Sequence, residues 1–414
     1  MKTLFITRHL PYPPMGGSAL RNWQNINIML QFGSVGVISL QVNSSKDDAK
    51  YPYPPKVSLW KNYYLSQMGP KNSRWQKIKN KLWLLQPQAH PWTNQLYSKN
   101  VVEELEKVLI EFKPQIVVFA ELWLYPYLKQ LKSYQGYFIY DAHNIEASLR
   151  QELHRSVQGT KSKIKSAFLL TKVRSIESSF VRQVDRVWVC SDDDASLMQN
   201  LYGKKSNLQV VPNGINIADY ETIRLGNFPL PKNIQITTHT MIFTAAFGYK
   251  PNAVAAQILI EQIYPKLQKI YPDCRLLLVG RDPTKQMKQA AKNDPGIIVT
   301  GKVPDVRPYL AAASVVVVPL LEGGGTRLKI LEAFAGGRPV VSTSKGAEGI
   351  EARDGEHLLI RDTVEDIIAE VSKLWSEPNL GQKLTSAAYT LITEKYSWQA
   401  VSYRVNKAIE DLIK

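Results

Sequence analysis

Short apolar runs alternate with segments whose apolar positions recur every three to four residues, and this alternation passes along the chain twice. Lys2 to Thr7 reads as a strand, Met15 to Ser18 as a turn, Ala19 to Gln31 as a helix and Val35 to Val42 as a second strand. Ile116–Ala120, Gly136–Asp141 and Arg186–Cys190 are further short buried strands, with helical spacing between them, as in Asn100–Glu111. A polar, proline-containing tract from Val211 to Lys232 has no periodicity and suits a linker. Beyond it the rhythm restarts, with strands at Met241–Thr244, Arg275–Val279 and Ile297–Thr300 and a helix predicted over Ala253–Ile270. From Val364 to Lys414 the pattern is helical, interrupted near Glu377-Pro378 and near Trp398. Strands alternating with helices twice over predict two doubly wound α/β domains. We place them at residues 1–215 and 216–395, with a last helix, 396–414, returning to the first domain. Ligands of such sheets bind at the carboxyl ends of the strands, so two domains facing a cleft would line it with two sets of loops.

The densest chemistry lies between Ser314 and Thr343. Val315–Val318 is a strand covered on both faces. Gly323, Gly324 and Gly325 let backbone approach a ligand closely, and Thr326 is placed to cap the helix that follows. A helix start attracts phosphate, and Arg327 and Lys329 add cationic donors in its first turn. Glu332, three residues after Lys329, shares its face. A carboxylate there suits ribose hydroxyls while the cations suit a diphosphate.

Bulk properties narrow the class. The 414 residues exceed one ordinary core, and no run approaches the roughly 18 apolar residues of a membrane span. The N-terminal apolar stretch is followed by Arg8, His9 and three prolines, which reads as a strand rather than a leader. Cys190 and Cys274 form no metal spacing and no disulfide framework, which fits a reducing cytoplasm. The net charge of +16 is uneven: residues 1–215 carry +13 of it. Within that half, Lys71–Trp83 places Arg74, Lys77, Lys79 and Lys81 among Trp75 and Trp83, with Trp75, Ile78 and Leu82 at helical spacing and Trp60, Tyr63 and Tyr64 just upstream. That composition suits an interfacial helix on an anionic membrane. Lys161, Lys163, Lys165, Lys172 and Arg174 form a second basic stretch. Asp192–Asp194 contains a D-x-D pattern, read as dipole partners in a first helical turn and not as a metal site. No G-x-G-x-x-G follows a strand, which removes a nicotinamide-dinucleotide reading.

The ordered set PYPPMGGSALR (Pro11–Arg21), YDAHNIEASL (Tyr140–Leu149), VWVCSDDD (Val187–Asp194), VPNGI (Val211–Ile215), FTAAFGYKPNAVA (Phe243–Ala255) and LLLVGRDP (Leu276–Pro283) continues into motifs spanning Val299 to Leu359. In this order it resembles family-4 glycosyltransferases of the GT-B fold, in particular sugar-nucleotide-dependent transferases of exopolysaccharide and PEP-CTERM-associated clusters. The resemblance covers nearly the whole chain. It implies two Rossmann-like domains with C-terminal helices, and retaining transfer of a sugar from a nucleotide-diphosphate donor to a lipid-linked or glycan acceptor. It implies no required cofactor and no obligatory metal. On that likeness Glu332 matches the second glutamate of the family's E-x7-E motif, while Gly324 stands at the first and Glu322 is displaced by two. Arg327, Lys329 and Arg281 would neutralise the diphosphate, with backbone at Gly324, Gly325 and Thr326 near the sugar and Lys302 and Val303 near the base. Gly16 and Gly17 would admit donor or acceptor. His143 would stand beside the transferred sugar as hydrogen-bonding or electrostatic support, and Arg21, Asp141 and Glu146 would face the acceptor. Ala245 replaces the glycine of the usual FTG. The implied location is cytoplasmic, peripheral on the inner face of the plasma membrane. A sugar-nucleotide epimerase or hydrolase of the same fold is the alternative. A nucleic-acid-binding module rests on charge alone, with no recognition motif, so no nucleic-acid partner is expected.

Overall fold

Four valines in a row, Val315–Val318, are fully enclosed, and the same holds for Ile116–Ala120. Strands of this kind demand a parallel sheet with helices on both faces. The computed structural model of the chain contains two such sheets among the residues it describes, which are 1–14, 16–42, 54, 56–65, 86, 88–155, 157–203, 207–231, 235–325 and 327–413.

The chain divides into one unit of Met1–Pro212 with Ser402–Lys414 and a second of Asn213–Val401. In the first, β1 (Lys2–Thr7), β2 (Ser34–Gln41), β3 (Leu59–Tyr64), β4 (Ile116–Ala120), β5 (Tyr137–Asp141), β6 (Arg186–Val189) and β7 (Leu208–Val210) lie in the order β3-β2-β1-β4-β5-β6-β7. In the second, β8 (Thr240–Thr244), β9 (Arg275–Val279), β10 (Ile297–Gly301), β11 (Val315–Val318), β12 (Val340–Ser342) and β13 (Leu359–Ile360) lie in the order β10-β9-β8-β11-β12-β13. Every strand pairing is parallel. All strand carboxyl ends of a sheet therefore share one edge. The strand order reverses between β1 and β4 in one sheet and between β8 and β11 in the other, which is where such sheets open a crevice for a ligand.

Each unit has its own core, one around Leu4, Ile38, Phe119 and Phe180, the other around Phe243, Leu277, Val317 and Phe334. The last helix, Trp398–Ile413, is tied to the first unit where Arg186 donates to the Asp411 carbonyl at 2.9 Å.

Two local readings change. The helix predicted over Ala253–Ile270 is Lys250–Ile258, a π turn at Leu259–Ile263 and Tyr264–Ile270. Pro265 lacks the N–H that would bond to the Glu261 carbonyl, and the wider π turn accommodates the lost rung. Trp60, Tyr63 and Tyr64 belong to the edge strand β3 and not to an interfacial flank. The Tyr63 hydroxyl donates to Glu104 at 3.1 Å.

Candidate active site

In the second unit the loop after β11 is shaped by its own chemistry. Gly323 has φ +105, which strains any other residue, and a Cβ on it would lie 3.0 Å from the Tyr249 hydroxyl and 3.2 Å from Pro251, tight enough to push on both. Arg327 is buried, and its guanidinium donates to the carbonyls of Gly324 at 2.8 Å, Gly323 at 2.7 Å and Lys345 at 3.0 Å. The guanidinium expected to face a diphosphate is thus turned onto the loop and holds its shape. The helix behind the loop begins at Leu328, with Arg327 rather than Thr326 at its N-cap and no side-chain cap. Thr326 itself lies outside the described residues.

Lys329 and Glu332 stand one turn apart on this helix, Leu328–Ala335, both half-buried. The Lys329 ammonium is 3.3 Å from Asn252 Oδ1 and 4.2 Å from the Phe243 ring centroid. Burial, reinforced by Arg327, pushes it down to about 7. The Tyr220 hydroxyl donates to Glu332 Oε1 at 3.3 Å. Burial pushes the Glu332 carboxyl up to about 7, against the pull of Tyr220 and Lys329. A cation and a carboxylate on one face are therefore both poised near neutrality, which is common where a ligand completes the charge balance.

The other expected residues of this unit sit on the same sheet edge. Arg281 is exposed just after β9, and Lys302 (exposed) and Val303 (half-buried) follow β10. Gly280, with φ +144, would place a Cβ 1.8 Å from the Ala245 carbonyl oxygen. The loops after β8 and β9 meet there, so the glycine missing at 245 has a counterpart at 280. Gly324 is half-buried and Gly325 exposed, with φ +87 at Gly325.

The first unit gathers a continuous polar network at its own strand ends. Arg21 donates to Asp141 Oδ1 from Nε at 2.9 Å and to the Val211 carbonyl at 2.7 Å. Asn25 donates to Asp141 Oδ2 at 3.0 Å, and His143 Nε2 is 3.5 Å from the same oxygen. His143 Nδ1 meets Ser18 Oγ at 3.0 Å, and Ser18 donates its single proton to Glu121 Oε1 at 2.8 Å, so Nδ1–H is the donor to Ser18. Glu121 closes the chain on Arg8 at 3.3 Å.

This corrects two expectations. Arg21 is 2% exposed and Asp141 is 0% exposed, so neither reaches an acceptor. Burial pushes the Asp141 carboxyl up, but Arg21 and His143 outweigh it and hold it down to about 2. The pair is a fixed, enclosed anchor, and its Asp141 carboxylate faces His143. Gly16 and Gly17 are exposed at the start of helix Gly17–Met29, with Gly16 at the N-cap and φ +104. Glu146 is half-buried at the start of helix Glu146–Arg155 and is pushed up to about 7 by burial, with Arg150 opposing. Arg74, Trp75, Lys77, Lys79, Lys81 and Trp83 lie outside the described residues. Asp192–Asp194 form the first turn of helix Asp192–Tyr202, capped by Ser191, which accepts from the Asp194 N–H at 3.1 Å.

Sequence reasoning missed Glu121. It follows β4 directly and has φ +90, a strained conformation for a residue with a side chain, of the kind that collects at functional sites. The available signal was a lone carboxylate placed immediately after five buried apolar residues. Arg8, which directly follows β1, carried the same signal.

The whole chain superposes on sucrose-phosphate synthase from Thermosynechococcus elongatus with a TM-score of 0.72 at 15% identity, covering 100% of this chain and 99% of that one. TarM gives 0.67 at 13% identity over 99% and 98%. Anabaena HepE in complex with UDP and glucose gives 0.64 at 12% identity over 99% of both chains. These likenesses, with the two parallel sheets, define the fold as GT-B, the two-Rossmann-unit fold of glycosyltransferases. Residues 238–377, within the second unit, match the family described as glycosyl transferases group 1.

In sequence the chain is 24% identical over 205 residues to a phosphatidyl-myo-inositol mannosyltransferase of Mycolicibacterium smegmatis, covering 48% of this chain and 51% of that protein. It is 26% identical over 162 residues to an uncharacterized 44.6 kDa protein in the cps region of Klebsiella pneumoniae, covering 37% and 42%. The chain spans about half the length of the curated relatives it matches.

Proposed function

We propose that this protein is a glycosyltransferase that moves a sugar from a nucleotide-diphosphate donor, with retention, to a lipid-linked or polysaccharide acceptor in cell-surface glycan assembly. The observation that carries the reading is the Lys329–Glu332 pair behind the Gly323–Arg327 loop. It offers a cation to a diphosphate and a carboxylate to ribose hydroxyls at a sheet's switch point. In the transfer, the bond from the anomeric carbon to the phosphate oxygen breaks and the acceptor oxygen bonds on the same face. The acceptor proton passes to the departing phosphate oxygen. Charge on that leaving group is the main load, and Lys329 with the start of its helix meets it, with no metal ion or other cofactor required. His143, held by Ser18, supports the sugar.

A lipid-linked acceptor implies a membrane surface, and the name of the mannosyltransferase relative, which cites a phosphatidylinositol, agrees with it. No helix among the described residues is long and apolar enough to cross a membrane. Helix Thr160–Gln183 does expose Ile164 (66%) and Phe168 (46%) one turn apart, among exposed Lys161, Lys163 and Lys165. That surface suits peripheral attachment to anionic lipid on the cytoplasmic face. Lys172 lies 5.0 Å over the Phe168 ring while donating to the Gln86 carbonyl, and Arg174 donates to Gln151.

The test is Glu332→Ala with a thermal-shift panel of UDP-, GDP-, ADP- and CDP-sugars. At least one donor raises the melting temperature of the wild type, and the variant, with an unchanged circular dichroism spectrum, loses that shift and its transfer activity. Full activity in the variant sinks the donor assignment.

A further inference from the structure

At the carboxyl ends of β1 and β2 the first unit holds a cavity of about 370 Å³ lined by Arg8, His9, Gln41, Trp92, Gln95 and the aliphatic Val42 and Leu96. We propose that this cavity is a sugar subsite that binds one uncharged pyranose ring of the acceptor, with Trp92 as its apolar wall and Gln41, Gln95 and Arg8 as its hydroxyl partners. That the ring belongs to an acceptor rests on the glycosyltransferase reading above; that the cavity takes a sugar does not.

Four observations support it. The volume falls within the range of about 300–1,000 Å³ typical of small-molecule sites. Five of the seven lining side chains are planar: two amides, a guanidinium, an imidazole and an indole. Planar donors and acceptors reach neighbouring hydroxyls of a ring, while an aromatic surface meets its C–H face. Trp92 leaves 40% of its surface open although its surroundings are fixed. Its backbone N–H donates to His90 Nδ1 at 3.2 Å, the Thr93 hydroxyl accepts from the His90 N–H at 3.1 Å, and the Trp123 ring packs 5.6 Å from the indole. A rigid, exposed indole costs little further ordering when it binds. Finally, Gln41 Nε2 is shielded from solvent and has no hydrogen-bond partner among the described residues. Such a group is costly to leave unmade, and a ligand hydroxyl would supply its acceptor.

Charge selects the class of ring. Arg8 stacks 4.7 Å over Trp92, but its charge is already met by Glu121 at 3.3 Å. A carboxylate or phosphate entering the cavity would have to compete with Glu121 for that guanidinium, whereas a hydroxyl can accept one of its N–H groups without displacing the pair.

The experiment titrates the full chain with the methyl pyranosides of glucose, galactose, mannose, N-acetylglucosamine and glucuronate, read by saturation-transfer NMR and tryptophan fluorescence. At least one neutral pyranoside binds saturably, and the glucuronide binds more weakly. Trp92→Ala and Gln41→Ala each weaken that binding at least tenfold, while Trp92→Phe keeps most of it, which separates loss of the ring from misfolding. No saturable binding, binding indifferent to both alanine variants, or tighter binding of the glucuronide overturns the inference. Nucleotide-sugar thermal shifts run in parallel keep the two readings apart. If no donor binds the wild type while Trp92-dependent pyranoside binding persists, the glycosyltransferase reading falls and the sugar subsite stands. If a donor shifts the melting temperature and no Trp92-dependent binding is seen, the subsite falls and the glycosyltransferase reading stands.

Discussion

Replacing Lys329 with methionine keeps the length of the side chain and removes its charge, and the consequence depends on pH in a way the structure specifies. In the ligand-free protein the ammonium sits against Phe243 and near Arg327, pushed down to about 7. A diphosphate placed beside it favours the charged form, so the complex holds its proton to higher pH. Between about pH 7 and the higher value in the complex, the complex binds more protons than the free protein, and affinity must fall as pH rises. With a free-protein value of about 7, roughly nine chains in ten carry the charge at pH 6 and about one in thirty at pH 8.5. Diphosphate binding through Lys329 should therefore weaken about 30-fold across that interval, or about 2 kcal/mol. Inorganic pyrophosphate is the right probe because it lacks a ribose and leaves Glu332 out of the comparison. Calorimetric titrations of wild type and Lys329→Met at matched pH cancel the titration of pyrophosphate itself. The wild-type advantage is expected to be large at pH 6 and nearly gone at pH 8.5. Lys329→Arg, charged throughout, should remove the pH dependence of that advantage. Near pH 8, wild-type binding should take up close to one proton, visible as a dependence of heat on buffer. An equal pH slope in wild type and Lys329→Met would refute the placement of Lys329 at the diphosphate.

The buried pair in the first unit makes a stability prediction. Arg21→Met strands Asp141 as an uncompensated buried carboxylate, with an expected loss of about 3–5 kcal/mol by urea denaturation. The double variant with Asp141→Asn should recover part of it, and a loss below about 1 kcal/mol would contradict the geometry. Asp141 is held below its ordinary value, so its contribution is present above about pH 4 and fades as pH falls toward 2. At the exposed end of helix Thr160–Gln183, Ile164→Glu with Phe168→Glu should cut co-sedimentation with phosphatidylglycerol vesicles at least tenfold. Wild-type binding should weaken with added salt, and equal sedimentation with uncharged vesicles would count against docking on anionic lipid.

What could be read from the sequence depended on whether the relevant residues were neighbours along it. The strands β4, β9 and β11 emerge to the residue because each is a short continuous apolar run, as expected of a strand covered on both faces. The edge strand β3 does not, because Leu59–Tyr64 is half-buried throughout and shows neither alternation nor a continuous apolar run. Gly323, Lys329 and Glu332 could be grouped as a candidate donor site because one loop and the helix behind it carry all three. The network around His143 draws on Arg8, Ser18, Arg21, Glu121 and Asp141, which come from the ends of three strands and one helix, and only the sheet order brings them together. The resemblance turned Arg21 and Asp141 toward the acceptor. Paired, they can be enclosed, and no feature of Arg21 alone announces its partner 120 positions away. Both groups nonetheless obey one rule. Arg8 and Glu121 follow β1 and β4, and the Ala245 and Gly323 loops follow β8 and β11, the strand pairs at which each sheet reverses its order. Once the strands are ordered, the loop that follows each of those four strands is the place to look, and that test would have found Glu121 without any side-chain geometry.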